Sequence, residues 1–180
     1  MFWFELWGEP MIEEIRSTAI SVTSKVFETM FFIPVGIQGE SGEEELPLSK
    51  SSVLFRGVIE FRGKYSGQLR LYLPSELATM MASNFMGLEE GGASESQTID
   101  MVNELCNMVC GNLFSQLDRK AVWNLTLPRT QSISYKAMEG EIASESVIAL
   151  DLIAEGFGVK LVIQLADSTS YETVEDRNAP

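Results

Sequence analysis

VLFRGVIEFRGKYSGQLRLYL, residues 53–73, holds two strand-forming runs, Val53 to Phe61 and Gln68 to Leu73, joined across Arg62-Gly63-Lys64-Tyr65-Ser66-Gly67. Branched and aromatic residues bounded by glycine and serine read as a β-hairpin. In the second run Leu69, Leu71 and Leu73 alternate with Gln68, Arg70 and Tyr72, a period of two that buries one face. Three further strand-like runs follow, Thr130 to Lys136, Ser146 to Ala154 and Val159 to Leu165, the last two joined through Glu155-Gly156-Phe157-Gly158.

Helical segments separate these runs. Pro10, with Glu13 and Glu14 behind it, opens a helix that extends to about Phe32, where Pro34 stops it. Pro74-Ser75-Glu76 opens a second helix that ends at Gly87, and Ser94 with Gln97 forms a capping pair for a third, from about Gln97 to Asp118 or on through Trp123. The acidic stretch from Gly36 to Lys50 reads as a polar strand edge or loop.

Helix, hairpin, helix, helix, strand, hairpin is the order of an α+β fold, helices packed on a largely antiparallel sheet, and not of alternating βαβ units. Gly67 and Gly158 stand at equivalent points of the two hairpins. Either the chain holds two pseudo-repeated helix-plus-hairpin halves, or strand chemistry alone makes the hairpins alike.

The 180 residues include 13 Lys+Arg against 26 Asp+Glu, a formal net charge of -13, which argues against a nucleic-acid partner because a phosphate backbone needs clustered cations. At 45% hydrophobic and 22% charged, the chain has the makings of one packed domain. It contains no histidine, so Ser-His-Asp, Cys-His and His-metal chemistries are excluded. Cys106 and Cys110 stand four apart with no further ligand type to complete a metal site, and read as small buried residues. No uncharged run approaches the roughly 20 residues that cross a bilayer, and the aromatic start Met1 to Trp7 lacks the cations of a signal peptide. The expectation is a cytoplasmic protein with an N-terminal extension (1–10), a domain at 11–166 and a flexible acidic tail (167–180). Met11 would serve equally well as a start.

The third helix separates into two stripes at about 100° per residue. Val102, Leu105, Cys106, Val109, Leu113 and Leu117 form the core side. Opposite them Asp100, Glu104, Asn107, Gly111, Phe114 and Asp118 share a band about 80° wide. Gly111 in mid-helix costs about 0.5–1 kcal/mol against alanine, which is reasonable if another surface approaches the backbone there. Glu104 and Asn107 project side by side over that point, and Phe114 is expected as an exposed aromatic anchor.

The run Asp100 to Asn112 has the form D-x-x-x-E-x-x-N-x-x-x-G-N, which resembles the signature of the CheC/CheX/FliY family of chemotaxis phosphatases. The first helix with Val26-Phe27-Glu28-Thr29-Met30-Phe31 and the hairpins with Gly67 and Gly158 extend the similarity from Ile12 to Leu165. CheC-type members carry E-x-x-N in both halves. Here Phe31 stands where the first helix would need an asparagine, so the resemblance is to the CheX-type branch, with one site.

The resemblance implies hydrolysis of the aspartyl phosphate on a response-regulator receiver domain such as phosphorylated CheY. Asn107 would hold the attacking water in line, Glu104 would pair with the regulator's lysine, and Asp100, Gly111 and Phe114 would shape the contact. No cofactor belongs to this chain, and Mg2+ is expected on the partner receiver domain. The resemblance also implies a homodimer joined edge to edge through its sheets. A non-catalytic adaptor that binds a regulator or a flagellar-switch component is the competing expectation.

Overall fold

A computed structural model describes residues 8–38, 48, 53–143 and 148–166. Its helices are α1 (Glu9–Phe31), α2 (Ser75–Met86), α3 (Glu95–Leu117) and α4 (Tyr135–Ala143). Its strands are β1 (Val35–Ile37), β2 (Leu54–Arg62), β3 (Ser66–Pro74), β4 (Asn124–Leu125), β5 (Arg129–Ile133), β6 (Ile148–Ala154) and β7 (Phe157–Leu165). Residues 1–7, the tail from Asp167 and most of the acidic stretch after Gln38 lie outside the described residues.

The seven strands form one antiparallel sheet in the order β1-β6-β7-β3-β2, with β4 and β5 both pairing β2. The order reads alike from either end. At each edge lies the strand that follows a long helix, β1 after α1 and β4–β5 after α3, and inside it comes the hairpin of the other half. β3 and β7 meet in the middle, where a Cβ on Gly67 would lie 2.0 Å from the Gln164 carbonyl oxygen. Only glycine allows so close an approach.

α1, α2 and α3 pack together over one face of the sheet. The buried side of α1, Ile15, Ala19, Val22, Val26 and Phe27, meets the core side of α3 and Leu69, Leu71 and Leu73 of β3. α1 stops where Phe32 turns left-handed at φ 59°, two residues before Pro34.

Two expectations are corrected here. The run Thr130 to Lys136 is not all strand: β5 ends at Ile133, the Ser134 hydroxyl accepts the Ala137 N–H, and α4 begins. In consequence β3 is buried on both faces. Tyr72 is covered by Met138 of α4, and its hydroxyl donates to the Glu141 carboxylate at 2.9 Å, which also pairs with Arg56. Burial, reinforced by that carboxylate, pushes the Tyr72 phenol well above its usual range.

Candidate functional site

α3 is fixed at its start and along one side. Ser94 Oγ accepts the Gln97 N–H at 3.3 Å, and Gln97 Oε1 accepts the Ser94 N–H at 2.8 Å, a reciprocal cap. Val102, Leu105, Cys106, Val109, Cys110 and Leu113 are fully buried. They bring the helix down onto the backbone of β2: a Cβ on Gly57 would sit 2.3 Å from Cys106 Sγ and 3.1 Å from Val102 Cγ1. Both cysteines are free thiols, and burial pushes them up, that of Cys110 to about 12, which suits packing and not reactivity.

On the opposite side Asp100, Glu104 and Asn107 are exposed and Gly111 is half-buried. Among the described residues no hydrogen bond or ion pair engages the side chain of Glu104 or Asn107. Among the described residues a carboxylate and an amide therefore stand free, with Cβ atoms about 5–6 Å apart as the i,i+3 spacing requires, on a helix that is capped at its start and buried along its other side. A Cβ on Gly111 would meet Leu125 Cδ1 alone, at an ordinary 3.8 Å, so nothing in the described chain demands glycine there.

Phe114 departs from expectation. It is fully buried, its ring 4.0 Å from that of Phe61 and 4.7 Å from that of Trp123 between centroids, and it is no surface anchor. The segment after α3 folds back along the helix, held by the Trp123 indole N–H on the Asp118 carbonyl at 3.3 Å, and covers that edge of the band. Asp118 caps this turn. Its carboxylate accepts the N–H groups of Lys120 and Ala121, and these, with the Lys64 ammonium 3.6 Å away, hold its pKa below the usual range.

Sequence reasoning passed over Asn103, Leu125 and Thr130. The Thr130 hydroxyl donates to Asn103 Oδ1 at 2.8 Å, tying β5 to the flank of the helix that carries Asn107. The available signal was Asn103, Asn107 and Gly111 lying four apart on one row.

The site is an exposed helix face. A hollow at the end of the helix, lined by Ser115, Gln116, Asp118, Arg119, Ala121 and Trp123, includes neither Glu104 nor Asn107. Among the described residues no three His, Cys, Asp or Glu side chains group as a metal site requires, and no helix is long and apolar enough to cross a membrane. An amide and a carboxylate side by side on an exposed helix face are available to a docking macromolecule.

A family model described as chemotaxis phosphatase CheX matches residues 55–149. No curated protein sequence matches. Among solved structures, chemotaxis protein CheX from Vibrio vulnificus is similar at 18% identity and TM-score 0.62, covering 85% of this chain and 97% of that one. A CheX–CheY–BeF3–Mg2+ complex from Borrelia burgdorferi matches at 18% identity and TM-score 0.59, over 84% of this chain and 97% of the other. FliY from Thermotoga maritima matches at 17% identity and TM-score 0.58, over 87% and 89%. These likenesses establish a shared fold.

Proposed function

This chain belongs to the CheX family, and from that premise we propose that it hydrolyses the aspartyl phosphate on the receiver domain of a CheY-like response regulator. The observation that carries the proposal is the free Glu104–Asn107 pair on an immobilised helix. One structure of the same fold is a complex with CheY, which supports a receiver domain as the partner.

An aspartyl phosphate is an activated acyl phosphate, so the reaction mainly needs a water held in line with phosphorus. Asn107 meets that need, since its amide offers a donor and an acceptor from one planar group. Entering the regulator's active site, it orients the water toward phosphorus. Glu104, one turn back, pairs with the regulator's lysine and sets the docking geometry. Asp100 contributes charge at the rim, and Gly111 leaves clearance for the partner's surface. Mg2+ bound by the receiver domain neutralises the phosphoryl oxygens.

The protein acts in the cytoplasm as a homodimer joined through a sheet edge, of which β1 and β4–β5 are the two present.

The test is phosphate release from phosphorylated receiver domains with Mg2+, with and without the protein. Faster release is expected from at least the cognate regulator. Binding without acceleration, across the regulators of one cell, would leave an adaptor in place of an enzyme.

A further inference from the structure

The edge strand beside α3 is interrupted at one place. Leu125 pairs Phe61 and Arg129 pairs Val58, so four steps along β4–β5 oppose three along β2. One extra residue is therefore inserted at 126–128, a β-bulge, with Thr126 holding Glu60 at its base through its N–H and its hydroxyl. Leu127, in the bulge, is 86% exposed.

The bulge is placed by its two ends. Leu125 lies against Gly111, and Thr130 is bonded to Asn103. Asn103, Asn107 and Gly111 form one row on α3, so the residues from 126 to 129 pass alongside Asn107. From Asn103 to Gly111 the helix rises about 12 Å, whereas five extended residues span about 16 Å. The surplus chain is taken up by the bulge, at the level of the free amide. Bulges recur beside active sites, where they re-aim a side chain. A bulged edge followed by Pro128 is also poorly suited to pairing with another strand.

Building on the phosphatase assignment, we propose that Leu127 is the apolar anchor that seats the receiver domain. It packs against the regulator's surface beside the phosphorylated aspartate and adds affinity without touching the reacting groups. Leu127 is a binding residue, separate from the Glu104–Asn107 pair. Its continuity with that face marks the regulator, and not a second copy of this chain, as its occupant.

The experiment compares Leu127→Ser with wild type and with Val122→Ser. Val122 is similarly exposed, at 78%, but lies beyond the end of α3 next to Gly63. Affinity is measured for a receiver domain carrying beryllofluoride and Mg2+, phosphate release gives kcat and KM, and sedimentation gives the oligomeric state. Leu127→Ser is expected to raise Kd and KM about tenfold, as for a buried leucine lost from an interface, with kcat, thermal midpoint and oligomeric state unchanged. Val122→Ser should match wild type. An unchanged Kd, a fall in kcat alone, an equal loss with Val122→Ser, a shift in oligomeric state or a wild type that binds no receiver would overturn the proposal. Wild-type binding without turnover would overturn the phosphatase assignment instead, and Leu127 would still be judged on Kd.

Discussion

α1 and α3 lie side by side over the sheet, each 23 residues long and each followed by a strand that joins the other half's hairpin. Each exposes a glutamate, Glu28 and Glu104. Three residues on, they part. Phe31 of α1 is buried, its ring 6.0 Å from Phe27 and 5.8 Å from Phe85 of α2, and the helix ends there. Asn107 of α3 is free, and its helix runs on to Leu117. Glu28 accepts a hydrogen bond from the Ser24 hydroxyl, whereas Glu104 has no partner among the described residues. A doubled scaffold thus carries two helices of one kind. In one half the position three residues after the glutamate packs against α2; in the other it is exposed.

The largest expected effect sharpens the contrast within α3 itself. Phe114→Ala should destabilise the protein by about 3–5 kcal/mol, since it empties the space between Phe61 and Trp123. Urea unfolding would measure it. A surface anchor, by comparison, would cost almost nothing.

A second substitution tries to break the comparison. Phe31→Asn copies the Glu-x-x-Asn spacing onto α1, yet it places an amide in a position only 8% exposed. The expected outcome is a loss of about 2–3 kcal/mol and no gain in phosphate release. A second active site in that variant would show that the sequence pattern suffices without exposure.

The glutamates give the smallest contrast. Glu104→Ala is expected to weaken binding of a beryllofluoride-loaded receiver domain about tenfold, as when one partner of a charged pair is lost. Glu28→Ala should leave it unchanged. Isothermal titration of both variants decides whether α3 alone faces the regulator.

The hairpin 53–73 was legible because alternation and turn glycines are local, and α3 because Ser94 and Gln97 mark its start. α4 was not, because it is only nine residues long and its narrow stripe, Tyr135, Met138 and Ile142, follows directly on the strand-forming Ile133. Its Ser134 cap was a second cue. The exposure of Glu104 and Asn107 was legible because it follows from the helix period, while the role expected of them came from the resemblance. Phe114 was misplaced for a non-local reason: it flanks the exposed band, and only the chain returning through Trp123 decides that this flank is covered. The bulge at Leu127 was illegible because it is a mismatch between two strands, visible only once both are paired.

The most direct measurement is the turnover of a saturating phosphorylated receiver domain by Asn107→Ala, with unfolding and regulator binding followed in the same preparation. The account predicts a fall of about 10²-fold or more, typical of a lost positioning group, with stability and Kd unchanged. Full turnover by that variant would contradict it.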